Sequence, residues 1–259
     1  MNRRNILLVI AYDGSGFQGW QRQSTAPTIQ GTIEHCLSVI TRTAVTLNGA
    51  GRTDSGVHAL EMTANFLTES SVPCSGFLHG LNSMLPVDIQ ILKADELPAD
   101  FHSRFNATGK SYRYDIFTGR IQLPTERLYT AHFPCKLNID IIKMSLKQLI
   151  GPNDFSSFEG SGSRDTSLMA GRGAVRTLFH AGFTPHLQKN DTWSFYFTGD
   201  GFLRHMVRNL VGTLIEVGTG KTSFDDFIKI MRSRDRRLAG PTAPTHGLFL
   251  EKVFYEPMK

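Results

Sequence analysis

Between Gly49 and Ala59 the chain reads GAGRTDSGVHA, a run with one carboxylate, Asp54, among residues too small to build a core. Its three glycines allow a loop to approach another molecule closely. Arg52, two residues earlier, provides a guanidinium that can hold an acid ionised. An ionised carboxylate on backbone that a large ligand can reach is prepared for nucleophilic or base chemistry. The same residues also have a plainer meaning. Asp54-Ser55-Gly56 is good turn chemistry, because an Asp side chain bonds nearby backbone and glycine tolerates positive φ; alone, the three read first as a hairpin corner. A phosphate cradle lacks its signature, since no Lys-Ser/Thr follows the glycines and no helix opens on a G-x-G-x-x-G. After Val57, His58, Leu60, Met62, Ala64 and Phe66 fall on one face at period two, so the loop feeds a strand.

Three other stretches carry chemistry. KSYRY places an aromatic, Tyr112, between Lys110 and Arg113; GFLRHMVRNLVG offers Arg204 and Arg208, four apart and so expected on one helical face; YDGSGFQGWQRQ combines aromatics with Arg22. Singly each is ordinary: Tyr112 a strand residue, Arg208 a helix-surface cation, Trp20 a core or edge residue, and RSRDRR from Arg232 a solvated charge run. One carboxylate, one planar ring, one cation and basic surface for phosphates together suit work on a base taken out of a nucleic acid. The formal charge of +5 and a pI near 9.2 tilt the same way, towards a polyanionic partner. Metal chemistry is not expected: the nine histidines show no H-E-x-x-H or H-x-E spacing, and Cys36, Cys74 and Cys135 form neither a C-x-x-C pair nor a disulfide framework. MNRRNILLVIAYDG has too short an apolar run for a signal peptide, and no stretch approaches a membrane span, so a cytoplasmic location is expected.

The elements that must position these residues read as an α+β chain. NILLVIAYDG is an apolar strand; PTIQGTIEHCLSVI is a helix striped by Ile29, Ile33, Leu37 and Ile40, with Thr28 as N-cap. CSGFLHGLNSMLP is a second helix, striped by Phe77, Leu81 and Met84 and stopped at Pro86, and VDIQILKADEL alternates as a strand. A second stretch begins near FHSRF, with Tyr112, Tyr114 and Ile116 on one strand face and Ser111, Arg113 and Asp115 on the other. The helix NIDIIKMSLKQLI, strands AVRTLFHAGF and TWSFYFTGDGF, the helix HMVRNLVGTLIEVG, a further helix from Phe224 and a last strand GLFLEKVFY follow. Two similar α/β subdomains, 1–105 and 106–259, are expected to form a continuous, mostly antiparallel sheet flanked by helices. The Gly/Ser-rich stretch 159–173 reads as a surface loop, either mobile or a contact for RNA.

Taken in order, YDGSGFQGWQRQ, TIQGTIE, GAGRTDSGVHA, LNSMLP, FHSRFNATGKSYRY, NDFSSF, FLRHMVRNLVG and GPTAPTHGLFL resemble the tRNA pseudouridine synthase A (TruA) family nearly end to end. The resemblance implies isomerisation of uridine to pseudouridine in the anticodon stem-loop of tRNA, at positions 38 to 40, by a homodimer that uses neither metal nor organic cofactor. By the same resemblance Asp54 is the catalytic carboxylate, Tyr112 the ring stacked on the flipped uracil, Arg208 the partner that salt-bridges Asp54, and Arg52 the side chain involved in flipping. The chain departs from the family's pattern after GVHA, where relatives carry Gly-Gln and then His before the Phe and this chain has Glu61, Met62 and Asn65. It also has Glu159 after Phe158, where relatives commonly carry a basic residue. These departures bear on which uridine is modified more than on the reaction. Two other classes fit the sequence less well. A catalytically silent RNA-binding module is disfavoured by Asp54, since a binder of polyanions gains nothing from an acid in its cleft. A Gly-loop phosphate enzyme is disfavoured by the missing Lys-Ser/Thr.

Overall fold

The computed structural model describes residues 3–160 and 173–258; most of the Gly/Ser-rich stretch 159–173, namely 161–172, lies outside them. In chain order the elements are β1 (Arg4–Tyr12), α1 (Ile29–Thr41), β2 (Asn48–Gly49), β3 (His58–Thr68), α2 (Cys74–Met84), β4 (Ile89–Leu97) and β5 (Gly109–Phe117). There follow β6 (Ala131–His132), α3 (Ile139–Lys147), β7 (Gly151–Asp154), β8 (Val175–Pro185), β9 (Thr192–Gly199), α4 (Met206–Gly218), α5 (Phe224–Ser233) and β10 (Leu248–Phe254). The chain is α+β and divides into two compact units, Met1–Thr108 with Phe249–Pro257, and Gly109–Leu248 with Met258–Lys259.

In the first unit the strand order is β4-β1-β3-β10, with β2 added to β3. β1 is antiparallel to both neighbours, whereas β10 runs parallel to β3, Phe249 opposite His58 and Leu250 opposite Ala59. The apolar alternation of β1 buries Ile6, Leu8 and Ile10 completely. Ile33 and Leu37 of α1 are equally buried, and Phe66 meets Phe77 of α2 edge-on at 5.3 Å; each such side chain contributes about 2 kcal/mol or more of burial. Thr28 caps α1 as its sequence implies, its Oγ1 accepting from Gly31 N at 3.3 Å.

β3 departs from the simple two-faced expectation. Leu60 is 41% exposed, while Ala59, Thr63 and Asn65 on the other face are buried along with Met62, Ala64 and Phe66. Polar residues occupy a buried face because each has a partner there. The Thr63 hydroxyl is hydrogen-bonded to the Tyr255 hydroxyl at 2.6 Å; Asn65 donates to Asn5 Oδ1 at 2.9 Å and accepts from Ser103 N at 2.9 Å. Met62 and Asn65 are therefore interior residues, and Glu61 lies 3.7 Å from the Lys252 ammonium.

The second unit orders its strands β5-β9-β8-β7, all antiparallel, with β6 parallel to β5. Its core is aromatic: Phe183 stacks on Phe195 at 4.2 Å, and Phe155, Phe158 and Phe227 are fully buried. Asn138 and Ser223 cap α3 and α5. Both faces of β5 are covered too. Tyr112, Tyr114 and Ile116 are buried, and so are Ser111 and Asp115 on the opposite face. Burial pushes the Asp115 carboxyl upward, against the opposing effects of Arg113 and of the Ser194 hydroxyl, which donates to it at 2.7 Å.

Candidate active site

Asp54 sits in a turn closed by its own backbone, Val57 N donating to Asp54 O at 3.2 Å, with Gly56 at φ +77°. A positive φ at the third position is what a type II turn requires and what glycine supplies. The turn reading and the chemical reading are thus compatible, because the main chain closes the corner and the carboxylate is half-buried. The loop is braced from behind by the segment after β1. Trp20 N donates to Thr53 O at 3.1 Å, the Tyr12 and Thr53 hydroxyls are 2.9 Å apart, and Ser55 Oγ donates to Phe17 O at 3.1 Å. Gly19, at φ +83°, lies against this loop so closely that a Cβ there would stand 2.5 Å from Thr53 O. Trp20 is 2% exposed and packs on Gly49, fixing the loop's other end. Immediately after the turn, His58 is buried, its Nδ1 3.1 Å from Asp13 Oδ1 and its ring stacked on Phe249 at 4.7 Å.

Arg52 is exposed and makes no hydrogen bond or ion pair among the described residues, so the guanidinium two residues before Asp54 is not bonded to it. Arg22, grouped above with the aromatics, instead pairs with the buried carboxylate of Glu34 on α1 at 3.0 Å.

The second unit holds Tyr112 and Arg208. Tyr112 lies on β5 opposite Phe197 and is 9% exposed; Phe202 meets it edge-on at 4.8 Å. Arg208 is on the first turn of α4, its Nε donating to Ala243 O at 2.8 Å while Ala243 N donates to Arg208 O at 3.1 Å. Its charge acts on Tyr114, whose phenol burial pushes well above the usual range and Arg208 draws partly back; the Tyr114 hydroxyl donates to Pro244 O at 2.6 Å.

Arg204 does not share a helical face with Arg208. The helix begins at Met206, and its N-cap His205 is left-handed at φ +60°, so Arg204 lies in the turn before it, exposed, its carbonyl accepting from Gly160 N at 2.8 Å. A left-handed non-glycine residue costs about 1–2 kcal/mol, and the surrounding bonds hold it. Asn209, fully buried, donates to Phe158 O at 2.8 Å and accepts at Oδ1 from Thr242 Oγ1 at 2.6 Å and Arg236 at 3.0 Å. Arg236 also donates to the carbonyls of Ala239 and Gly240. The RSRDRR run is therefore only partly a solvated face. Tyr12, Gly19 and Asn209 went unmarked in the sequence reading; the glycine's closeness to Thr53 and the amide's three partners arise from distant segments.

Among the described residues no group of three or more His, Cys, Asp or Glu side chains is placed to hold a metal ion, and no helix is long and apolar enough to cross a membrane. Residues 8–106 and 146–256 match the model of the tRNA pseudouridine synthase family, and the chain belongs to that family. It is similar to "tRNA pseudouridine synthase A 1" of Desulfotalea psychrophila, 49% identical over 97% of this chain and all of the relative. "tRNA pseudouridine synthase A" of Acetivibrio thermocellus is 43% identical over 97% of this chain and all of its own length, and "tRNA pseudouridine synthase A 2" of Clostridium tetani is 42% identical over 97% and 99%.

Proposed function

We propose that this chain converts uridine to pseudouridine in the anticodon stem-loop of tRNA, at positions 38 to 40, with Asp54 as the catalytic carboxylate. The observation that carries the reading is the Asp54 loop: one acid, half-buried, on a main chain held by Gly19, Tyr12 and Trp20. The reaction breaks the bond from N1 to C1′, turns the freed uracil, and joins C5 to C1′; the C5 proton leaves and N1 ends protonated, so nothing is oxidised or reduced. A carboxylate suffices, by attack on the sugar or by assisting elimination, because the leaving uracil is a resonance-stabilised anion.

In this proposal the Tyr112 ring, backed by Phe202, bears on the flipped uracil and limits its motion. Arg208, held through Ala243, supplies the positive charge that favours an ionised acid. Arg52, exposed and unpaired among the described residues, engages the RNA as the base flips. The protein acts as a homodimer in the cytoplasm, and its basic surface holds the stem by its phosphates. Incubating the protein with an unmodified tRNA transcript and mapping pseudouridine at single-nucleotide resolution tests this. Modification confined to 38–40 is expected; a tRNA left unmodified, or modified only elsewhere, contradicts it.

A further inference from the structure

We propose that the turn His102–Asn106 in the first unit is a second RNA contact, a stacking platform on which Phe105 receives an unpaired nucleobase and Arg104 the adjoining phosphate. Phe105 is 77% exposed, an unusual state for a phenylalanine whose backbone is tightly fixed. Its neighbours in the turn, Arg104 and Asn106, are exposed and polar. The His102 ring lies 4.3 Å from it at a 35° tilt, and the Arg104 guanidinium is 5.9 Å from its centroid. A planar apolar face beside a cation matches a base and its phosphate, since every base offers a π-face and stacking tolerates any sequence.

The turn is preorganised. Phe105 N and Asn106 N both donate to His102 O, at 3.1 and 3.0 Å, His102 N donates to Asn106 Oδ1 at 2.7 Å, and Arg104 N donates to His102 Nδ1 at 3.1 Å. Beneath it, the fully buried Ser103 is tied on three sides. Its N–H donates to Asn65 Oδ1, its hydroxyl to Asn48 O, and its carbonyl accepts from Tyr255 at 2.9 Å. The Tyr255 phenol, pushed up to about 12 mainly by burial, remains a donor throughout the neutral range. Asn65 lies on β3, and Asn48 belongs to β2, six residues before Asp54. One set of buried bonds therefore ties the platform to the strand that leads into the Asp54 loop. A ring carried on a fixed main chain loses less conformational freedom when a base stacks on it than one on a mobile loop, which is how preorganisation raises affinity.

The inference rests on the RNA substrate proposed above, and the experiment separates the two. Dissociation constants are measured for an unmodified tRNA transcript and for a single-stranded oligoribonucleotide, together with kcat and KM for pseudouridine formation, in Phe105→Ala, Phe105→Leu, Phe105→Trp and Arg104→Gln. Stacking predicts that Ala and Leu raise Kd and KM by roughly five- to a hundredfold, that Trp preserves them, and that kcat and the melting temperature stay at wild-type values in all four. Arg104→Gln should weaken binding less and lower the slope of log Kd against log salt by about one. An Ala variant with wild-type Kd on both RNAs overturns the platform, even where the wild type forms pseudouridine normally. A Leu variant that binds like wild type overturns stacking, since bulk alone would then suffice. A wild type that binds these RNAs through Phe105 but forms no pseudouridine upholds the platform and overturns the reaction.

Discussion

The Asp54 loop and the turn that carries Arg208 differ in how much of their bracing runs through side chains. The first is positioned largely by main chain: Gly19 lies where no Cβ fits, Trp20 N reaches Thr53 O, and the hydroxyls of Tyr12, Thr53 and Ser55 complete the brace. The second also has main-chain bonds, from Ala243 N and Gly160 N, but leans more on side chains: Asn209 gathers Phe158, Thr242 and Arg236, and Arg208 clasps Ala243. A backbone brace has no rotamers to lose and shifts little. A side-chain brace can lose one member and relax. The two regions should therefore fail differently when broken.

The largest effect is expected from Gly19→Ala. Alanine at φ +83° costs about 1–2 kcal/mol from the backbone alone, and its Cβ must displace the Thr53–Ser55 main chain. A misplacement near 1 Å at a reacting group lowers a rate by about a hundredfold, so kcat should fall by that order while the melting temperature drops only a few degrees. A variant with wild-type kcat would remove the backbone brace from the account.

Next comes Tyr112. If the ring acts by stacking, Tyr112→Phe keeps substantial turnover and Tyr112→Ala loses about ten- to a hundredfold. If the hydroxyl instead removes the C5 proton after the new bond forms, the Phe variant stalls as completely as the Ala variant. Single-turnover release of tritium from C5 of the uracil separates them.

The smallest effect on rate is expected from Asn209→Ala, whose cost is in stability. Leaving the Phe158 carbonyl and Arg236 without this partner destabilises the second unit by about 2–3 kcal/mol, seen as a lower melting temperature, with kcat of the folded enzyme within about tenfold of wild type. If Asn209→Ala damages kcat more than Gly19→Ala does, the contrast between the two braces is wrong.

The contrast also explains what the sequence could reveal. Glycines and an isolated acid stand out in a string of letters, so the Asp54 turn was legible, as were α1 with its Thr28 cap and the alternation of β1. Arg236 and Thr242 are ordinary residues 27 and 33 positions after Asn209, and nothing local announces that they meet it. Helical spacing placed Arg204 beside Arg208, but a left-handed His205 starts the helix two residues after Arg204. Period two groups Leu60, Met62, Ala64 and Phe66 on one face of β3 and says nothing of Asn65 and Thr63; these are buried because Asn5, Ser103 and Tyr255 arrive from elsewhere to bond them. The parallel pairing of β10 with β3, which returns Phe249–Pro257 to the first unit, joins segments nearly 200 residues apart and leaves no local trace.

Whether Asp54 performs the chemistry is read from the variant Asp54→Asn. The substitution keeps the shape and leaves the backbone turn to Val57 available. Pseudouridine formation in a saturating tRNA transcript should fall by about a thousandfold or more, with the dissociation constant for the same transcript and the melting temperature close to wild type. Residual turnover within tenfold of wild type would place the catalytic group elsewhere and contradict the account.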